Sequence, residues 1–163
     1  MWRFVREVEP AGFLGAHHDG ALVGYAIFVP SLKRVQRQAI RRGVIFRWAW
    51  SALRGGFALR FSAVWRVLLN KVLFVRSGNR YRSTGDAQLL NIAVVPAMHG
   101  RGVATSLVRE GLRVMRELRV REVRLEVRPW NASAVALYRK TGWHEAGRTR
   151  DLEGEWLVMV AQP

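Results

Sequence analysis

The chain of 163 residues contains no cysteine. That absence removes thiol nucleophiles, thiolate metal sites and disulfides together, and leaves the compartment open, because proteins on either side of a membrane do without cysteine. The four histidines and twelve acidic residues show no metal-ligand spacing, so no metal is expected. No uncharged apolar run approaches the roughly 20 residues that span a bilayer; the longest apolar stretch is broken by Arg47, Arg54, Arg60, Arg66 and Lys71. The start, MWRFVREVEPAGF, carries no apolar run followed by a small-residue cleavage site, so no secretory signal is read and a cytoplasmic location is expected. There is no internal repeat and no low-complexity tract.

A further absence is local. Residues 31–82 hold 13 Lys and Arg and no Asp or Glu, whereas the rest of the chain sets 14 basic residues against all 12 acidic ones. Nearly the whole net charge of +15 therefore sits in one segment. Half of the residues are apolar, which excludes general disorder, and the length suits one domain, residues 1–163, with a core of its own.

Residues 13–29, FLGAHHDGALVGYAIFV, hold two short apolar runs joined at Asp19-Gly20, a hairpin signal. Residues 31–54 and 57–76 read as two basic amphipathic helices broken at Gly55-Gly56. In the second, Phe57, Phe61, Val64, Trp65, Leu68, Val72 and Val75 recur at helical spacing. AQLLNIAVV (87–95) is expected as a central strand, apolar on both faces. Ala104, Leu107, Val108, Gly111, Leu112, Met115 and Leu118 then define an amphipathic helix. In EVRLEVR (122–128) the alternation places Val123, Leu125 and Val127 on one face and Arg124, Glu126 and Arg128 on the other. A short helix is expected from Asn131 to about Thr141, ended by Gly142 in a left-handed cap, and two last strands at WHEAGRTR and EWLVMV. Strands with interspersed helices give an α/β or α+β fold with a mixed sheet.

Two stretches carry chemistry. MHGRGVATSLV (98–108) places glycines at a strand-to-helix turn, where several backbone N–H groups and the helix dipole converge on one point and favour an anion. By itself, G-x-G is a weak signal and reads first as an ordinary glycine-containing turn between strand and helix. The turn lacks a Walker lysine and is shorter than a dinucleotide fingerprint, which argues against nucleoside triphosphates and NAD. In LEVRPWNASAVALYRKTGW (125–143), Asn131 suits an N-cap, Tyr138 suits a core aromatic, and Glu126 between two arginines suits a solvated charge ladder.

Taken together, LLNIAVVP, HGRGVATSLV, LEVR and NASAVALYRKTGW resemble the GNAT superfamily of acyl-CoA-dependent N-acetyltransferases, most of all its ribosomal-protein alanine N-acetyltransferase branch. The resemblance covers residues 85–160 well and 13–29 loosely. It implies a GNAT-like, mostly antiparallel mixed sheet flanked by helices, with residues 85–160 as the acetyl-CoA-binding core. It also implies that the backbone of Ile92, Ala93 and Val94 pairs with the pantetheine arm and that Gly100, Arg101, Gly102, Val103, Ala104 and Thr105 wrap the pyrophosphate. On the same pattern Asn131 contacts the pantetheine end, Tyr138 stands by the sulfur as general acid, and Glu126 serves as general base. That division suits direct acetyl transfer to an amine, which attacks only when unprotonated while the departing thiolate needs a proton.

The chain departs from the pattern in three places. His99 stands where the phosphate loop usually opens with Gln or Arg, and its protonation is expected to strengthen phosphate binding below about pH 6.5. Only about a dozen residues precede the hairpin, where the family has a strand and two helices that wall the acceptor site, so a shortened N-terminus is expected. Residues 31–82 replace a short connection with a basic helical hairpin. Three readings stand for it: packing on the core in place of the missing helices; an interfacial hairpin whose Trp48, Trp50, Phe57, Phe61 and Trp65 enter an anionic membrane surface, making the protein peripheral at the inner face of the membrane; or contact with another acidic partner. No nucleic-acid motif supports RNA. The expected activity is acetyl transfer from acetyl-CoA to a primary amine, either a protein N-terminus or an amino sugar or other small amine. The alternative is a non-catalytic acyl-CoA-binding or membrane-peripheral module on the same scaffold.

Overall fold

Strand β1 (Phe13–His18) turns at Asp19 and Gly20 into β2 (Ala21–Val29). Both turn residues have positive φ, 50° and 78°, the conformation that a two-residue hairpin needs for its twist to match that of the strands. The computed structural model describes residues 10–41, 85–151 and 153–163. The remaining elements are a 3₁₀ turn at Pro10–Gly12, α1 (Leu32–Arg41), β3 (Ala87–Val94), a 3₁₀ turn at Pro96–Met98, α2 (Val103–Glu117), β4 (Val123–Val127), α3 (Ala132–Lys140), β5 (His144–Asp151) and β6 (Gly154–Ala161). These match the expected elements closely, with Gly142 ending α3 at φ 91°. The first expected basic helix begins as α1; the rest of the expected helical hairpin lies outside the described residues.

The six strands form one mixed sheet in the order β1-β2-β3-β4-β6-β5. Neighbours run antiparallel except β3 and β4. Alternation along each strand divides the apolar side chains between two faces. On one face Ala26, Phe28, Leu89, Leu125, Val127, Leu157 and Met159 meet Leu107, Val108, Leu112 and Met115 of α2 and Val135 and Tyr138 of α3. The closest approach is at Gly111 of α2, where an added Cβ would lie 2.0 Å from the Phe28 ring. With Phe28 fully buried, only glycine lets the helix lie this close to β2.

On the opposite face Ile27 and Val29 of β2 pack with Val35 of α1. Ser31 caps α1, its hydroxyl oxygen accepting from the Arg34 N–H at 3.2 Å. The Asp86 carboxylate then accepts from the Ser31 hydroxyl and from the Lys33 N–H, each at 2.9 Å. Partial burial pushes the Asp86 carboxyl up, but the Lys33 and Ser31 hydrogen bonds and the Lys33 charge outweigh it and hold it below its ordinary value. The residues just before β3 are thereby tied to the start of α1, so the long β2–β3 connection leaves and re-enters the sheet at one place.

Candidate active site

Parallel pairing between β3 and β4 covers, among the described residues, only Ala87 with Val123 and Gln88 with Arg124. On its other side β3 stays paired with β2 as far as Val94, through a register shift between Ile27 and Phe28. A bulge of this kind bends a strand, and here it falls just beyond the last β3–β4 pair. The two strands separate, leaving the β4-facing edge of β3 beyond Gln88 without a strand partner among the described residues.

The opening continues into a groove of about 650 Å³. One wall is the Ile92–Val94 edge. The floor is the turn after it, from Met98 to Gly100, and the start of α2 from Gly102 to Thr105. The other wall is Asn131 and the face of α3 carrying Ser133, Ala134, Ala136, Leu137, Tyr138 and Lys140. The structure thus brings together Ile92, Ala93, Val94, Gly100, Gly102, Val103, Ala104, Thr105, Asn131 and Tyr138 of the residues singled out from sequence. Arg101 and Glu126 are not among the lining residues.

The start of α2 is built to receive negative charge. Gly102 occupies the N-cap at φ 83°, no side chain caps the helix, and its first turn contains no acid. Gly100 also has a positive φ, 74°, so the turn presents backbone without a Cβ in the way. Uncapped N–H groups at the positive end of a 15-residue helix form an anion cradle from backbone alone.

Asn131 serves two ends. Its Oδ1 accepts from the Ala134 N–H at 3.2 Å and from the Ser133 hydroxyl at 3.1 Å, capping α3. Its NH₂ group is then left to donate to a ligand. Tyr138, 6% exposed, packs on the Trp143 ring at 5.8 Å between centroids. Burial pushes its phenol up from the ordinary tyrosine value, so the hydroxyl keeps its proton at neutral pH.

His99 turns one ring nitrogen to the end of β3. Its Nε2 lies 2.9 Å from the Val94 carbonyl oxygen, and a carbonyl can only accept. The single N–H of the neutral ring is therefore spent on the end of β3, and a phosphate would find no donor on it unless Nδ1 gained a proton. The bond also withdraws the Val94 carbonyl from the open strand edge.

Glu126 and Tyr138 stand on opposite faces of the sheet. Tyr138 belongs to the helix-covered core with Leu125 and Val127, whereas Glu126 alternates to the other side of β4. There Glu126, 20% exposed, is ion-paired with Arg124, and its strand partner is Val158 of β6. Next along that face, the Arg128 guanidinium stacks 3.6 Å over the Trp156 ring and 5.2 Å from that of Trp130. It pairs with Glu153 at 3.0 Å and with Asp151 at 3.7 Å, while Trp130 itself is 68% exposed. The backbone-lined groove therefore lies on one face of the sheet and the charged, aromatic wall on the other.

Met98, Ser133, Ala134, Ala136, Leu137 and Lys140 complete the groove and were not singled out from sequence. For α3 the signal was available: residues 133, 136, 137 and 140 fall on one helical stripe, beside 131, 134 and 138. Among the described residues no helix is long and apolar enough to cross a membrane. No group of three or more His, Asp or Glu there could hold a metal ion.

A parted sheet centre beside an uncapped helix start defines a mixed α/β fold with an anion-receiving groove, and comparison with known proteins makes the class specific. The profile of the acetyltransferase (GNAT) family matches residues 1–143, and the chain belongs to that family. Over 62 residues it is 37% identical to a putative [ribosomal protein bS18]-alanine N-acetyltransferase of Bacillus subtilis (strain 168), a match spanning 38% of this chain and 41% of that protein. The fold is shared with Ard1 from Thermoplasma volcanium at a TM-score of 0.61 and 17% identity, over 99% of this chain and 76% of that one. It is also shared with ribosomal-protein-alanine N-acetyltransferase from Brucella melitensis, at 0.57 and 18%, again over 99% and 76%.

Proposed function

We propose that the protein transfers the acetyl group of acetyl-CoA to a primary amine by direct attack, with Glu126 as base and Tyr138 as acid. The observation that supports this reading best is the groove where β3 and β4 stop pairing, which brings the Ile92–Val94 backbone, the α2 start, Asn131 and Tyr138 together. When bound, acetyl-CoA supplies an activated thioester carbonyl. The backbone edge at Ile92–Val94 offers hydrogen bonds to an extended, amide-bearing arm, as in strand addition, and the turn at Gly100–Thr105 receives the pyrophosphate.

The amine approaches from the face opposite the groove. Its nitrogen forms a bond to the carbonyl carbon, and the carbon–sulfur bond breaks. Glu126 takes the proton that the nitrogen loses, and the Tyr138 hydroxyl gives a proton to the departing sulfur. Backbone N–H groups on β3 stabilise the negative charge that builds on the carbonyl oxygen. Arg124 orients the Glu126 carboxylate by pairing with one of its oxygens. No covalent enzyme intermediate is required, which agrees with a chain that has no cysteine.

Two acceptor classes define the test. The names of the Bacillus and Brucella proteins point to an alanine N-terminus of a ribosomal protein, whereas the altered β2–β3 connection suits an amino sugar or another small amine. The deciding assay follows CoA-thiol release with alanine-starting peptides, amino sugars and simple amines. Turnover on a member of one class assigns the acceptor. Cofactor binding without turnover on any amine would overturn the enzymatic reading in favour of a binding module.

A further inference from the structure

Coenzyme A carries up to four negative charges on its phosphates, yet the cradle at Gly100–Thr105 is made of backbone. Arg101, the cation expected from sequence to stand there, does not line the groove. The lining contains a single Lys or Arg side chain, Lys140, and no Asp or Glu among the described residues. Lys140 ends α3, on the stripe that also carries Ser133 and Leu137, and so belongs to the α3 wall of the groove. No carboxylate of the described residues pairs with it.

A cation in the last turn of a helix has an ordinary explanation, compensation of the helix dipole. Arg139 occupies the same last turn and meets that need equally, but it is not a lining residue. The neighbouring pair therefore separates the two roles. Resting on the acetyl-CoA reading above, we infer that Lys140 supplies the fixed charge that holds a phosphate of the coenzyme. An ammonium is a compact point charge with three donors, suited to a phosphate oxygen that no backbone N–H reaches.

The experiment measures dissociation constants of CoA and of 3′-dephospho-CoA for the wild type, Lys140→Met and Arg139→Met by titration calorimetry, at two salt concentrations. Lys140→Met is expected to weaken CoA about tenfold, the range of one charge-assisted hydrogen bond, and to flatten the salt dependence of binding. Arg139→Met is expected to bind as the wild type does. A loss for CoA but not for 3′-dephospho-CoA assigns Lys140 to the 3′-phosphate, and an equal loss for both assigns it to the pyrophosphate. Lys140→Arg is expected to restore most of the affinity. Wild-type affinity in Lys140→Met, or an equal loss in Arg139→Met, overturns the inference and leaves the coenzyme site standing. Failure of the wild type to bind either coenzyme overturns the acetyl-CoA reading itself.

Discussion

The helix-covered face of the sheet presents its candidate ligand site as backbone, the open edge of β3 and the uncapped N–H groups of α2, with Lys140 the single Lys or Arg among the described lining residues. The opposite face presents side-chain charge, from the Glu126–Arg124 pair to Arg128 between Trp130 and Trp156 and Asp86 at the start of α1. The difference teaches where substitutions act. A backbone site changes when the packing that places its helix changes, whereas a side-chain site changes when one group is replaced or titrated. On the proposed reading the coenzyme half is thus tolerant in composition and strict in packing, and the acceptor half is the reverse.

The largest effect is expected on the charged face. Glu126→Gln keeps the size of the side chain and removes the base, and is expected to lower kcat about a hundredfold, within the usual range for general acid–base catalysis, with CoA affinity unchanged. A kcat near wild type in a stopped-flow thiol-release assay would show that the charged face does not reach the reacting nitrogen. On the backbone face the strongest break is Gly111→Ala. The new Cβ would lie 2.0 Å from the buried Phe28 ring, and overpacking of this kind costs about 1 to 3 kcal/mol, offset by up to about 1 kcal/mol of helix propensity. A lowered melting temperature together with weakened CoA binding is expected, because α2 would carry its N-terminus away from β3. An unchanged melting temperature would show that the Phe28 ring turns aside at little cost.

Tyr138→Phe sharpens the comparison from inside the groove. It removes one hydroxyl and leaves the ring packed on Trp143, so kcat is expected to fall by more than tenfold while CoA affinity and thermal stability hold. A near-wild-type kcat would reject Tyr138 as the acid and leave the sulfur to take its proton from solvent.

How much of this was legible in the sequence depends on how far apart the partners are. The Asp19-Gly20 turn, the alternation in β4, the Asn131 cap and the Gly142 stop are set by neighbours a few residues away, and each stands where the sequence indicates. The parting of β3 and β4 is set by a bulge opposite Ile27 and Phe28, some sixty residues earlier in the chain, and no periodicity within 87–95 encodes it. His99 reads as a loop cation, but its ring nitrogen meets Val94 only after the turn has folded back on the strand. Arg101 is adjacent to the cradle in sequence and outside its lining, whereas Lys140 is 38 residues from Gly102 and inside it. A motif quoted as a string supplies backbone positions reliably and side-chain directions poorly, because the direction of a turn residue depends on contacts outside the string.

The smallest effect concerns Asp86, the longest-range contact at the border of the altered half. Asp86→Ala removes the acceptor of the Lys33 N–H and the Ser31 hydroxyl, and is expected to cost about 1 kcal/mol, as the loss of a helix cap does. The cost should depend on pH, and its sign follows from the proton balance. The folded carboxyl is held below its ordinary value of 3.8, so the unfolded chain binds the proton more readily and the stabilisation is complete above that value. It disappears as pH falls through the lower folded value. The gap in unfolding free energy between wild type and Asp86→Ala, measured by urea melts, should therefore be constant from pH 7 to about pH 5 and narrow towards pH 3. Raising the salt should narrow it less than acid does, since the hydrogen bonds survive screening of the Lys33 charge. A gap that does not begin to narrow as the pH falls below 3.8 would mean that Asp86 contributes by packing alone.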